Sequence, residues 1–209
     1  MVIGITGGIG CGKSTVLNIL KENFNAHIID ADKVAHRLME PFNPAYNNIK
    51  ADFGDTIIGS DGFIDRKKLG QIVFNDKEKL KRLNSIVHPM VKEAIKDEIR
   101  VISENGLDKQ KAAGFDEKML IAVEAALFIE AGYMDICDEL WYIYTDNESR
   151  IERLIKSRGY TREKAESIIA SQLSDSEFRR HCQIVIDNSG SEAKTRAQIA
   201  ATLNKQSRK

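Results

Sequence analysis

Gly7-Gly8-Ile9-Gly10-Cys11-Gly12-Lys13-Ser14 is the stretch whose residue types and spacing can do chemistry by themselves. Glycine, four residues, glycine, lysine and serine form the loop that wraps a polyphosphate in backbone, provided that a strand precedes it and a helix follows. Glycines at 7, 8, 10 and 12 permit positive φ and remove the Cβ atoms that would hold N–H groups away from phosphate oxygens. The N-terminus of the following helix then faces the anion. Lys13 is expected to reach the β and γ phosphates and the Ser14 hydroxyl to ligate Mg2+. The bland alternative, a glycine-rich turn that binds nothing, does not explain Lys-Ser at this offset.

Further along stand side chains suited to the same chemistry. Asp30 and Asp32 follow the apolar run His27-Ile28-Ile29, at the strand edge where open α/β sheets bind ligands. One of them can cap the next helix, leaving the other as a base near the transferring phosphate. Asp32 is favoured for that role, with Asp30 the alternative. Glu124 ends the apolar run Met119 to Val123, as an acid that helps hold the metal or as a capping carboxylate. His88 precedes Pro89, either as a helix-start residue or as an acceptor contact. His36 reads as a solvated side chain. Arg150, Arg153, Lys156, Arg158, Arg162 and Lys164 form either a solvated face or a mobile lid whose arginines close over the phosphate.

The elements that must position these groups follow from periodicity. Val2 to Thr6, Met119 to Val123, Leu140 to Thr145 and Ile184 to Ile186 read as strands beside the short run at 27–29. The first helix is expected to end around residues 21–23, and another runs from Lys33 to Met39. Between the second and third strands the pattern is helical: Asp61-Gly62 turns, Asp65 caps, and Pro89 starts a new helix that Gly106 ends. Residues 105–118 read as a polar surface loop. Asp146 and Thr161 open two helices, with Gln172 falling in the apolar stripe of the second. After the turn Asp187-Asn188-Ser189-Gly190, Ser191 caps an amphipathic C-terminal helix.

A length of 209 residues suits one α/β domain with insertions. The 31 basic residues balance 31 acidic ones, so no global charge argues for nucleic acid. No apolar run approaches the length that spans a bilayer, and no leader pattern precedes the first strand, so a cytoplasmic protein without a membrane partner is expected. Cys11, Cys137 and Cys182 have no metal-ligand spacing and read as free thiols.

Taken together, these pieces resemble the dephospho-coenzyme A kinases, nearly end to end. Besides the loop from Thr6 to Thr15, the resemblance is carried by Ile29-Asp30-Ala31-Asp32, by Asp61-Gly62 with Asp65-Arg66, and by Leu83-Asn84-Ser85-Ile86-Val87-His88-Pro89. Leu127 to Glu130, Arg153-Leu154 with Arg158, Gln172, and Val185-Ile186-Asp187-Asn188-Ser189-Gly190 complete it. It implies an α/β P-loop kinase fold: five parallel strands flanked by helices, with core segments 1–40, 118–149 and 183–209. It also implies a helical acceptor subdomain at 41–117 and a helical lid at 150–182. The implied reaction is ATP-dependent phosphorylation of the ribose 3′-hydroxyl of dephospho-coenzyme A, with Mg2+, by a monomer or weak homo-oligomer. The resemblance gives Gly8 and Gly10 to Thr15 to the ATP phosphates, and Asn188 to the adenine. Lys13, Asp32, Arg158 and Arg179 become catalytic, Arg66 and His88 join Asp32 at the acceptor, and Ser14 and Glu124 serve the metal. Two stretches depart from the family pattern, Ala126-Leu127-Phe128 and Cys182-Gln183. The competing readings are a kinase of the same architecture with another small acceptor, and a GTP-dependent switch. The chain lacks the Asn/Thr-Lys-x-Asp guanine motif of such a switch.

Overall fold

The computed structural model describes residues 1–74, 76–113 and 119–206, with residues 106–113 described by their backbone alone. Strand β1 is Val2–Thr6, and the loop after it leads into helix α1, Lys13–Phe24. Strand β2, His27–Asp30, is followed by helices α2 (Ala31–Leu38), α3 (Pro44–Phe53), α4 (Arg66–Phe74) and α5 (Lys77–Ala113). Then come β3 (Ile121–Glu124), β4 (Glu139–Tyr144), α6 (Asn147–Arg158), α7 (Arg162–Ala170), α8 (Asp175–His181), β5 (Ile184–Asp187) and α9 (Glu192–Gln206). The sheet order is β2-β3-β1-β4-β5, with β1 paired in parallel to β3 and β4, and β4 to β5.

The chain divides into two compact units, residues 1–28 with 106–209, and residues 29–105. The first holds the sheet core. Ile3, Ile5, Ala122, Trp141 and Ile143 have no exposed surface, and Val16 and Leu20 of α1 and Ile199 of α9 pack in the same cluster. Strands buried on both faces read as unbroken apolar runs, which is why β1, β3 and β4 stand out in the sequence. Burial of such side chains is worth about 1.5–3 kcal/mol each.

The second unit is built from helix ends. Asp65 Oδ1 accepts from the N–H groups of Lys67 and Lys68 at the start of α4, and Asp61 Oδ1 accepts from Phe63 N in the turn at Gly62. Here the sequence expectation needs correction. Pro89 does not begin a helix but lies inside α5, and Gly106 does not end it, since α5 continues to Ala113. A proline removes one hydrogen bond and crowds the preceding turn, at about 3 kcal/mol, but it does not forbid helix on both sides. Val87, Val91 and Ile95, four residues apart, are buried on one continuous stripe across it. That stripe offsets the local loss. Residues 105–113 are accordingly helical rather than loop, and residues 114–118 of the expected loop lie outside the described residues.

Candidate active site

The loop leaves β1 and turns into α1 through Gly12, whose φ of 81° and ψ of 36° lie in the left-handed region. A side chain there would be strained, and its Cβ would stand 2.3 Å from the Asn188 amide nitrogen. Glycine is needed for both reasons. The first N–H groups of α1 have no partner within the helix and carry the positive end of its dipole, so Gly12, Lys13 and Ser14 present a ready anion site. Ser14 is exposed there, with Thr15 half-buried behind it.

Lys13 Nζ donates to the Gly7 carbonyl at 2.9 Å and stands 3.7 Å from Glu124 Oε1 at the end of β3. The structure thus joins the two residues that the sequence assigned to phosphate and metal. Both side chains are more than four-fifths covered, so their attraction is screened less than that of a surface pair. Cys11 is 2 % exposed, and burial pushes its thiol pKa up despite the nearby Lys13 charge.

Side chains from distant segments grip the loop. Arg150, on the first turn of α6, is 8 % exposed and donates from Nε to the Ile9 carbonyl at 2.9 Å. Its Nη2 reaches Gln172 Oε1 at 3.2 Å, and that same oxygen accepts from Ile9 N at 2.8 Å. Gly8 makes room, since a Cβ there would stand 2.3 Å from Arg150 Nη2. Arg153 donates to the Asn188 carbonyl at 2.8 Å and to Thr145 Oγ1 at 3.2 Å. Asn188 itself donates from Nδ2 to the Cys11 carbonyl at 2.9 Å and accepts from Thr195 Oγ1 at 2.9 Å. Both ends of this buried amide are bonded to protein.

Among the expected lid arginines, Arg158 lies exposed in the last turn of α6, where Gly159, at φ 64°, ends the helix. Arg179, on α8, pairs with Asp175 at 2.8 Å and lies over the Tyr144 ring at 5.1 Å. Arg162 forms a two-pronged pair with Glu148, as a solvated face would. Gln172 sits beyond α7, in the turn after Ser171, rather than on the helical stripe.

In the second unit, Asp30 is the cap of α2: its carboxylate accepts from Lys33 N at 3.1 Å. Asp32 lies exposed in the first turn of that helix. Arg66 hydrogen-bonds His36 Nε2, and because a guanidinium only donates, His36 is the acceptor. His36 is therefore engaged rather than merely solvated. His88 lies within α5, half-buried, and burial pushes its imidazole pKa down. A cleft of about 520 Å³ in this unit is lined by Pro41, Phe42, Tyr46 and Phe63 together with Glu40 and Asp61.

Sequence reasoning set Arg150 and Arg153 in a basic run, as a solvated face or a lid, and gave neither of them a hold on the loop. Their spacing of three places them on one helix face, and Ile151 and Leu154 show that this face is buried. A charge interleaved with a buried apolar stripe was the available signal.

A glycine-rich loop between the middle strand of a parallel sheet and a helix, ending in Lys-Ser and faced by an acid from the neighbouring strand, defines a P-loop kinase. The family model for dephospho-CoA kinase matches residues 1–194. A dephospho-CoA kinase from Carboxydothermus hydrogenoformans is 40% identical over 204 residues, covering 98% of this chain and 93% of the relative. A solved dephospho-CoA kinase from Campylobacter jejuni superposes with TM-score 0.68 at 27% identity, covering 99% of this chain and 97% of that one. The solved protein TT1252 from Thermus thermophilus gives TM-score 0.77 at 27% identity, with the same coverage. The chain belongs to the dephospho-CoA kinase family. Its activity is the ATP-dependent phosphorylation of dephospho-CoA in coenzyme A biosynthesis.

Proposed function

We propose that the phosphoryl group goes from ATP to the ribose 3′-hydroxyl of dephospho-CoA, with Asp32 orienting that hydroxyl and taking its proton. The observation that carries this is the division of labour between neighbouring carboxylates: Asp30 is committed to the α2 N-terminus while Asp32 is exposed. Gly8 and Gly10 to Thr15 hold the phosphates, and Lys13 neutralises charge on the transferring group. Arg158 and Arg179 do the same from a lid at 150–182, with Arg179 exchanging Asp175 for phosphate oxygens. Arg66 and His88 contact the acceptor within residues 41–117. The apolar cleft at Phe42 and Phe63 suits the uncharged arm of the substrate better than its diphosphate, because Glu40 and Asp61 repel anions.

Mg2+ accompanies ATP. Among the described residues no three acidic, histidine or cysteine side chains cluster as a metal cage. Mg2+ keeps most of its waters and binds through one or two protein groups plus substrate phosphates. Ser14 and Glu124 would hold it, and it would neutralise charge between the β and γ phosphates. Asn188 lies by the adenine, with its side-chain amide taken up by Cys11 and Thr195. A cytoplasmic protein without nucleic-acid or membrane partners, monomeric or weakly self-associating, fits this reading; no described helix is long and apolar enough to cross a membrane.

The test is ADP release from MgATP with dephospho-CoA, adenosine, AMP or gluconate as acceptor, with phosphorus NMR of the product. Stimulation by dephospho-CoA alone, with a new 3′-phosphomonoester, is expected. Turnover of another acceptor, or a phosphate at another hydroxyl, sinks the assignment.

A further inference from the structure

Arg150 is a buried cation with an unusual set of partners. It is 8 % exposed, and among the described residues no carboxylate pairs with it. Its recorded acceptors are two neutral oxygens, the Ile9 carbonyl at 2.9 Å and the Gln172 side-chain carbonyl at 3.2 Å. An isolated buried charge is costly unless something of opposite sign or strong hydrogen bonds compensate it. The Gln172 oxygen also accepts from Ile9 N at 2.8 Å. One neutral oxygen therefore takes a cationic N–H and a loop backbone N–H together. A phosphate oxygen takes the same pair of donors at such loops, with the added gain of a charge-assisted bond.

The surroundings fix this arrangement. A Cβ on Gly8 would stand 2.3 Å from Arg150 Nη2 and 2.9 Å from Gln172 Oε1, so the three groups meet over bare backbone. Gln172 itself is exposed and lies in the turn after α7, whereas Arg150 is anchored on α6. The partner that can move is the glutamine.

We propose that Gln172 is a displaceable latch on the phosphate loop. Its side-chain oxygen holds Ile9 N–H and the Arg150 guanidinium, and a nucleotide phosphate oxygen takes both donors by displacing it. Gln172 is then a positioning residue: binding of the nucleotide frees the segment after α7 from the loop. This rests on the loop being the nucleotide site.

The experiment is calorimetric titration of MgATP into wild-type protein, Gln172→Ala and Gln172→Glu, without acceptor, so that no turnover is needed. Thermal melting without nucleotide checks that each variant is folded. Removing the latch leaves the two donors without a competitor, so Gln172→Ala should bind ATP roughly 2- to 10-fold tighter, the equivalent of about one hydrogen bond. Gln172→Glu neutralises Arg150 and repels phosphate, so it should bind more than about 10-fold weaker. Unchanged affinity in Gln172→Ala, or weakening in both variants, means a fixed strap and overturns the proposal. Failure of the wild-type protein to bind ATP would instead overturn the reading of the loop.

Discussion

Asn188 and Cys11 stand 177 residues apart in the chain, yet the buried Asn188 amide donates to the Cys11 carbonyl at 2.9 Å, at the middle of the phosphate loop. The other end of the amide accepts from Thr195, on the first turn of α9. The loop shape is therefore held by the last strand and helix of the fold. Asn188→Ala removes a buried donor from the Cys11 carbonyl, which keeps Thr145 Oγ1 at 2.9 Å, and leaves the Thr195 hydroxyl only a 3.5 Å contact with the Ser191 carbonyl, and should destabilise by about 1–3 kcal/mol. Thr195→Val removes only the second bond and should do less. Chemical denaturation measures both, and ATP affinity should fall in Asn188→Ala but hold in Thr195→Val. Equal losses of affinity would detach Asn188 from the loop.

Phosphoryl transfer depends more on charge stabilisation than on proton removal when the transition state is loose. Lys13 donates to Gly7 and faces Glu124, so its ammonium is already aimed across the loop. Lys13→Met should therefore lower kcat more than Asp32→Asn, for which a loss of about 10²-fold or more is expected of a positioned base. Single-turnover rates at saturating ATP decide the order. Near-normal turnover in Asp32→Asn returns the base role to Asp30 or to solvent.

The loop and the sheet were legible in the sequence because both rest on local rules. Glycine spacing, Lys-Ser and unbroken apolar runs carry their meaning without tertiary context. The grip on the loop was not, since Arg150, Gln172 and Asn188 meet it only through the fold, and each has a plainer local explanation. Asp30 could be separated from Asp32 only once the helix start was known to one residue. The continuity of α5 was hidden because the rule for proline is local, whereas the stripe of Val87, Val91 and Ile95 that overrides it is tertiary.

Cys137 and Cys182 offer a pH test of packing. Burial pushes the Cys137 thiol from its ordinary 9.0 up to about 11, and the Cys182 thiol up to about 12. Both folded-state values are raised, so the native state prefers the protonated forms. The stability they contribute is complete below pH 9 and is lost as pH rises from there through 11 and 12. The melting midpoint of the wild-type protein should fall steadily above pH 9. In a Cys137→Ala, Cys182→Ala double variant that slope should be shallower, although the midpoint at pH 7 is lower. Parallel slopes would mean that other alkaline groups, such as the buried Tyr142 whose hydroxyl pKa is also raised by burial, carry the effect.

Pro89 gives the sharpest test of how α5 is held. In an unbroken helix the N–H of residue 89 would bond the Ser85 carbonyl, and proline has no such hydrogen. In the same turn the Ser85 hydroxyl donates to the Arg82 carbonyl at 2.7 Å, a contact that often accompanies helix bending. Val87 and Val91 flank the proline and are buried. If their packing merely tolerates the proline, Pro89→Ala restores the missing bond and raises stability by up to about 3 kcal/mol. If a bend imposed by Pro89 is what brings Val87 and Val91 onto one buried stripe, a straightened helix lifts one of them out. Stability then falls by about the burial of one valine, ~1.5 kcal/mol or more. The local loss at proline exceeds the partial loss of one valine contact, so the first outcome is expected. A lowered melting midpoint in Pro89→Ala would establish instead that the bend at residues 85–89 is a requirement of the helical unit.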